Sequence, residues 1–368
     1  MENRKIEIAI IVPGGIGTGH NNIGVPVLDQ LVRLLSQKFS ITVFSLFKIN
    51  KDYTPVGFEL IEISALNGVA KALKFFSIFR NQHRIKKFRI VHGFWAFPSG
   101  LLAVLSGKVF RIKSIVSVLG GDAIALPQIQ YGQLRKWLPR KMVLWTLNQA
   151  DEVICLTDYL FQNLKNAGLQ KKEVKIIPWG IDTSRFTFFE KTLSKPVRFL
   201  HIGNLSPVKD QVTLLRAFKI ISDAVPSVLT IIGEGVLEQS IKALARELHL
   251  DRKIVFKGLM PNAELPLHYR SADMLLHTSL SEGQGVVLIE AMSSGVVVCG
   301  TSVGLIFDLP FCCVSVPIGN FQELAQRVIQ LINEPEKIIE TRNNAKQWAL
   351  SHPIGWTVSS ISELYVRT

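Results

Sequence analysis

The chain has 368 residues, 48% of them hydrophobic and 19% charged, with 42 Lys and Arg against 29 Asp and Glu. That length and apolar share exclude a disordered or fibrous chain and predict two or more folded domains with sizeable cores. The net charge of +13 is uneven, with 25 basic against 13 acidic residues up to position 190 and 17 against 16 beyond it. An anionic surface is therefore expected to meet the first half alone.

At the start, Glu2, Arg4, Lys5 and Glu7 lead straight into a strand-like run, which is not the layout of a signal peptide. Short apolar runs predict strands at 6–12, 41–46, 89–92, 114–119, 152–156 and 174–177, with helices between them, for example 25–38 and 159–166. The second half repeats the scheme, with strands at 197–202, 227–232, 254–257 and 274–277 and helices at 210–224 and 236–249. Two apolar stretches invite a membrane reading. The run 94–107 is too short to span and contains Pro98. The run 286–307 is interrupted by Glu290, Gly295 and Gly300, so a helix followed by a buried strand is expected there. Alternation of strands and helices predicts an α/β chain with parallel, doubly wound sheets, in two domains joined near 188–195. Ligands of such sheets bind beyond the carboxyl ends of the strands, so two binding edges can face one cleft.

After the first strand comes Pro13-Gly-Gly-Ile-Gly-Thr-Gly19-His20, where Gly14 and Gly15 allow close backbone approach to a charged group. The dinucleotide register G-x-G-x-x-G fails, and Phe44-Ser-Leu-Phe47 offers no acid at the end of the second strand. A hydride-transfer enzyme is therefore disfavoured. Residues 71–89 interleave Lys and Arg with Leu73, Phe75, Phe76, Ile78 and Phe79, and residues 135–145 place Arg135, Lys136, Arg140 and Lys141 beside Trp137 and Trp145. Basic, aromatic-rich helices of this kind predict contact with an anionic membrane surface. No nucleic-acid motif accompanies the charge. The four cysteines, Cys155, Cys299, Cys312 and Cys313, form no C-x-x-C pair and read as buried thiols of a reducing cytoplasm rather than a disulfide or metal set.

The richest chemistry lies in Glu282-Gly-Gln-Gly-Val-Val-Leu-Ile-Glu290 followed by Ala-Met-Ser-Ser-Gly295. One carboxylate stands in a glycine-rich loop and the other inside an apolar helical pattern. Burying a carboxylate is costly without a partner, and a ligand rich in hydroxyls supplies one. Gly283 and Gly285 let backbone N–H groups approach an anion at the start of the following helix.

This segment resembles the signature of retaining glycosyltransferases of family 4. So do Pro178-Trp-Gly-Ile-Asp-Thr-Ser-Arg-Phe186, His201-Ile-Gly-Asn-Leu-Ser-Pro-Val-Lys209, Ile231-Ile-Gly-Glu-Gly235 and Val255-Phe-Lys-Gly258, in the family's order across 178–304. The resemblance implies the GT-B fold: two Rossmann-like domains facing a central cleft, with the last helix crossing back to the first. Here that gives an acceptor-binding domain over 1–188, completed by 352–368 with Trp356, Ile361 and Leu364 as anchors, and a nucleotide-sugar domain over 189–351.

The resemblance further implies catalytic roles for Glu282 and Lys209, the latter steadying the leaving diphosphate without a metal. It implies donor contacts from Gly14, Gly15, Gly203, Asn204, Gly233, Gly258, Leu259, Gly283, Gln284, Gly285, Val286 and Glu290. His92, His20 and Asp122 are expected on the acceptor side, while His277 reads as structural. No cofactor is expected, since a UDP- or GDP-sugar enters as substrate, and the acceptor is expected to be a glycan or lipid-linked intermediate of cell-surface polysaccharide or glycolipid synthesis. The expected location is cytoplasmic and peripheral on the inner face of the membrane.

Two positions depart from the family pattern. Asn204 stands where an Arg is expected, with Arg198 and Arg185 as candidates to make good the charge, and Leu119 stands where the family often has a His. These departures keep open a weak or inactive homologue that only binds a nucleotide sugar or a partner. A sugar-nucleotide epimerase, which shares this fold, stays open as well.

Overall fold

The computed structural model describes residues 5–18, 25–63 and 68–367. The chain forms two compact units, one made of the residues up to Trp179 together with those from Ile354 onward, the other spanning Gly180–Pro353.

The first unit alternates β1 (Glu7–Val12), α1 (Pro26–Lys38), β2 (Ser40–Ser45), β3 (Glu59–Glu62), α2 (Gly68–Lys86), β4 (Ile90–Phe94), α3 (Leu101–Phe110), β5 (Lys113–Val118), α4 (Trp137–Gln149), β6 (Glu152–Cys155), α5 (Asp158–Asn166) and β7 (Lys175–Ile176). The strands pair in parallel in the order β3-β2-β1-β4-β5-β6-β7. Chain order reverses between β1 and β4, so the ligand crevice of such a sheet opens beyond their carboxyl ends. Helix α1 begins with Pro26, whose missing N–H is no loss at a first helical position. Its buried Val27, Leu28, Leu31, Val32 and Leu35 make one apolar stripe.

Helix α2 turns Phe75 and Phe79 inward. The Phe79 ring lies 5.4 Å from those of Phe44, Phe75 and Phe88. These two phenylalanines, expected among the membrane-facing residues of 71–89, are core residues instead: they stand one turn apart on the face that covers the sheet. Val69, Leu73 and Ile85 remain exposed, as do Trp137, Leu138 and Trp145 of α4. No helix among the described residues is long and apolar enough to cross a membrane.

The second unit runs β8 (Val197–Ile202), α6 (Gln211–Ala224), β9 (Ser227–Ile232), α7 (Glu238–Glu247), β10 (Ile254–Phe256), α8 (Leu265–Ser271), β11 (Met274–His277), α9 (Val286–Ser293), β12 (Val297–Thr301), α10 (Leu305–Asp308), β13 (Cys313–Val316), α11 (Phe321–Ile332) and α12 (Pro335–Ser351). Its parallel strand order is β10-β9-β8-β11-β12-β13. Residues of a strand point alternately to the two faces, and here both faces are apolar. Phe199, Ile231, Leu276 and Cys299 join one core with Leu214 and Phe218 of α6. Leu200, Ile232, Leu275 and Val298 join another with Leu288, Ile289 and Met292 of α9. Helices on both faces explain why these strands read as continuous apolar runs. The run 286–307 is a helix, a buried strand and a short second helix, α9 to α10.

The last helix, α13 (Ile354–Val366), belongs to the first unit. Ile361 and Leu364 are buried anchors. Tyr365, not expected from the sequence, is buried as well and meets His92 of β4 through its hydroxyl at 2.7 Å.

Replacing Phe79 by Ala removes the ring that meets Phe44, Phe75, His83, Phe88 and Phe110 and should cost about 3–5 kcal/mol. Denaturant unfolding followed by a signal from the first unit checks this, and an unchanged midpoint would show that the cluster is not the keystone of that core.

Candidate functional site

In the second unit the chain order reverses between β8 and β11, which lie side by side. The loops leaving their carboxyl ends carry Lys209 and Glu282. After β8 the chain passes Gly203 and Asn204 and makes a single 3-10 turn, Pro207–Lys209. Asp210 then takes a left-handed φ of 45° and caps α6, its carboxylate accepting the Thr213 N–H at 3.3 Å. After β11, the Thr278 hydroxyl donates to the carbonyls of Lys209 at 3.2 Å and Asp210 at 2.9 Å. The Leu280 N–H donates to the Val208 carbonyl at 2.8 Å. These bonds fasten the two loops together, and the Lys209 stem runs over Gly203.

Lys209 Nζ forms an ion pair with Glu282 Oε1. His277 Nε2 stands 3.0 Å from the same oxygen and the Ser279 hydroxyl donates to it at 2.8 Å. A carboxylate only accepts, so the His277 proton sits on Nε2. Burial pushes the Glu282 carboxyl up, but the Lys209 ammonium, together with the hydrogen bond and charge of His277, outweighs it and holds the group well below the usual carboxylate range. Beneath the pair lies His201, fully buried, with Nδ1 against the Leu276 carbonyl at 2.9 Å. Burial lowers its pKa to about 4, so it stays neutral.

Glu290 lies on α9 and is buried, its Oε2 accepting the Tyr269 hydroxyl at 2.7 Å. Burial raises its pKa, against the lowering effects of the Tyr269 bond and of the Arg185 charge. Helix α9 starts after Gly285, which has a φ of +86° that a side chain would strain. No side chain among the described residues caps this start. The first N–H groups point out of the amino end and carry the positive end of the helix dipole, although that of Leu288 turns back to the Gly285 carbonyl at 2.9 Å. Gly283 precedes it, and Gln284, buried, uses its carbonyl to accept the Leu305 N–H at 3.1 Å.

The glycine turns after β8, β9 and β10 lie along one side of the site. Gly203 N–H bonds the Ile232 carbonyl at 3.0 Å and Gly233 N–H bonds the Gly258 carbonyl at 2.9 Å. A Cβ on Gly233 would lie 2.0 Å from the Gly203 carbonyl oxygen, so only glycine fits. Leu259, half exposed, gives its N–H to Glu234 Oε1 at 3.1 Å. Asn204 is exposed, and its carbonyl accepts the Gln211 amide at 2.9 Å. Arg198 sits at the opposite end of β8, about 20 Å of strand away, so it cannot replace a charge at Asn204. Arg185 acts on Glu290 instead.

The first-unit expectations fare differently. Gly14 and Gly15 follow β1 at the reversal point; Gly15 donates its N–H to the Thr18 hydroxyl at 2.8 Å and its carbonyl accepts the Val25 N–H at 2.7 Å. His20 lies outside the described residues. His92 is not on an acceptor surface. It is fully buried, bridges Tyr365 and Ser117 at 2.7 and 2.8 Å, and burial pushes its pKa down to about 3. Asp122 is also buried. Its carboxylate accepts the N–H groups of Ala96, Gly120 and Leu119, which binds the loop after β5 to the loop after β4. Both were placed on the acceptor side because polar residues at strand ends read alike whether they face ligand or fold.

His277 and Ser279 are site residues that sequence reasoning missed. The available signal was a histidine at the carboxyl end of a strand five positions before Glu282. Among the described residues no group of three or more His, Cys, Asp and Glu side chains is placed to hold a metal ion.

Two family models match consecutive halves of the chain: Glycosyltransferase Family 4 over residues 5–185 and Glycosyl transferases group 1 over residues 184–348. The chain belongs to this glycosyltransferase family, and its seven- and six-stranded parallel sheets are those of the GT-B fold. Among solved structures, sucrose-phosphate synthase from Thermosynechococcus elongatus matches with a TM-score of 0.82 at 18% identity, covering 98% of each chain. HepE from Anabaena, solved with UDP-glucose, matches with a TM-score of 0.76 at 17% identity, covering 99% of this chain and 100% of that one. N-acetyl-alpha-D-glucosaminyl L-malate synthase of Bacillus anthracis is 24% identical over 361 residues, 90% of this chain and 89% of that protein.

A carboxyl held low in the folded state stabilises the fold above its unfolded pKa, about 4.3, and that contribution is lost as pH falls. Lys209→Met removes the foremost lowering influence on Glu282. Glu282 should then titrate at higher pH, and the rise in unfolding free energy between about pH 2 and 6 should flatten. Carbon-13 titration of the glutamate carboxyls reads the shift, and an acid limb like that of the parent protein would show that the ammonium does not hold the carboxylate.

Proposed function

We propose that the chain moves a sugar from a nucleotide-sugar donor, a UDP- or GDP-sugar, to an acceptor hydroxyl, with retention at the anomeric carbon and without a metal ion. One observation carries this reading. A cation, a carboxylate held ionised and an uncapped helix start meet at the reversal point of a parallel sheet. The HepE complex supports a donor of this class for the fold.

In the proposed reaction, Lys209 and the start of α9 hold the diphosphate. The bond between the anomeric carbon and the diphosphate oxygen breaks, and its electron pair goes to that oxygen. Fixed positive charge at this position favours the step, because it meets the anion as it develops. Glu282 uses Oε2 for sugar hydroxyls, since its known partners all address Oε1. Glu290, oriented by Tyr269, accepts the ribose hydroxyls. The turns at Gly203, Asn204, Gly233, Gly258 and Leu259 border the nucleotide. The acceptor oxygen forms the new bond to carbon, and its proton passes to the departing diphosphate oxygen. We assign no enzymic nucleophile. Asn204 offers an amide where a bidentate guanidinium is expected, which leaves Lys209 the larger share of the charge.

The first unit takes the acceptor, which we propose to be a glycan or lipid-linked intermediate of cell-surface polysaccharide or glycolipid synthesis. Its exposed Leu73 and Ile85 share α2 with Lys74, Arg80 and Arg84, and its exposed Trp137, Leu138 and Trp145 share α4 with Arg140 and Lys141. Apolar side chains among cations suit the anionic inner face of a cytoplasmic membrane.

Glu282→Ala and Lys209→Ala should each lower transfer about tenfold or more while circular dichroism stays that of the parent protein. Release of nucleoside diphosphate from a panel of UDP- and GDP-sugars measures this. A folded Lys209→Ala protein with undiminished transfer would end the assignment. Binding to anionic vesicles should weaken as salt rises from about 0.1 to 1 M, where screening shortens from about 10 to 3 Å, and Trp137→Ser should weaken it further. Salt-insensitive or absent binding would remove the membrane from this reading.

A further inference from the structure

A second cavity of the second unit, of about 630 Å³, lies at the amino ends of the strands, beside Val197 of β8 and Pro226 just before β9. The Lys209–Glu282 loops leave the other end of the same sheet. Helix α12 lines it with Pro335, Ile338, Ile339 and Arg342, a spacing of three, four and seven that puts them on one face. The rest of the wall is mostly apolar, with Leu193, Val225 and Ile332. The volume lies in the range of about 300–1,000 Å³ typical of small-molecule sites.

Arg342 is out of place in such a wall. It is 6% exposed, and its Nη1 donates to the Lys191 carbonyl at 2.6 Å. Its Nε and Nη2 are buried with no hydrogen-bond partner. Unpaired buried donors of this kind are rare, because water has been lost and nothing has replaced it. These two nitrogens share one edge of the guanidinium, the edge whose parallel N–H bonds match two oxygens of a carboxylate or phosphate. The acid nearby does not serve them: Asp273 accepts the N–H groups of Ser194 and Arg198 and the Ser194 hydroxyl. Lys191 also lines the cavity. Burial pushes its ammonium down to about 8; Asp273 opposes this and Arg342 adds to it. The wall is thus apolar with a cationic end.

We propose that this cavity binds a small apolar-tailed oxyanion, a carboxylate or phosphate monoester whose head meets the unpaired edge of Arg342 while its chain lies among Leu193, Val225, Ile332, Ile338 and Ile339. A sugar does not suit the apolar wall, and a cation is repelled by Arg342 and Lys191.

The test uses the whole chain with dodecanoate, dodecyl phosphate and dodecanol, each below its aggregation concentration, read by calorimetry and thermal unfolding. The expected result is saturable binding and a raised Tm with one or both oxyanions; the tighter of the two names the head group. Dodecanol should bind at least about tenfold more weakly, and Arg342→Gln should weaken the oxyanions by a similar factor. Because removing a buried arginine can upset the fold, Ile339→Trp serves as the second variant: position 339 is 58% exposed, and the larger ring fills the cavity from its rim. It should abolish binding while the protein stays folded. Absence of saturable binding by either oxyanion, dodecanol binding as tightly, or undiminished affinity in folded Ile339→Trp would each overturn the proposal.

Discussion

The pairing of Lys209 with Glu282 is the constraint around which the second unit's carboxyl edge is arranged. A glutamate so shielded from water would take up a proton if it stood alone. A lysine ammonium on a free four-carbon stem would have no fixed place. Joined, each keeps the other charged and located. The pair forms because the loops after β8 and β11 are fastened by backbone and hydroxyl bonds from Thr278 and Leu280 before any charge is counted. In the proposed reaction a diphosphate draws Lys209 toward itself. Glu282 is then still held by His277 and Ser279, so the carboxylate is not stranded when its ammonium is shared.

The same sheet accounts for where this chemistry can lie. Strands covered by helices on both faces leave no polar surface along their length. Functional side chains therefore gather where the chain leaves the sheet. At the carboxyl edge of the second unit those loops converge because Gly203 and Gly233 let two turns touch backbone to backbone. In the first unit the corresponding polar groups hold the fold together: Asp122 binds two loops through their N–H groups, and His92 is wedged between Ser117 and Tyr365.

That contrast explains what could be read from the sequence. The placing of Glu282 in a glycine loop before a helix, and of Glu290 within that helix, was legible from spacing, whereas the glycine turns and Lys209 came from the family resemblance. Parallel sheets in two units were legible because buried strands read as apolar runs. The edge strand β3 was not, since Glu59-Leu-Ile-Glu62 is half polar and half exposed. Nor were the roles of His92 and Asp122, which depend on partners 273 and 26 positions away along the chain. Phe75 and Phe79 looked like membrane residues because composition cannot tell which face of an amphipathic helix meets its own core. His277 was passed over for the opposite reason, since a buried histidine at a strand end usually serves packing. Here its second nitrogen reaches Glu282.

The charge asymmetry of the chain fits this division of labour. In the second unit the positive groups near the site are few and specifically placed: Lys209 by its neighbouring loop, and Arg185 beside Phe186 with its guanidinium on the Asn262 carbonyl. Such charges act on one oxygen at a time. The first half carries its excess diffusely, on α2 and α4, among exposed Leu73, Ile85, Trp137 and Trp145. Diffuse cations cannot orient a reacting atom, but they can hold a protein against an extended negative surface, where each adds about 1 kcal/mol. In the proposed reading, one unit would discriminate a small, densely charged molecule, and the other would meet a broad one. An acceptor presented on a membrane would need both.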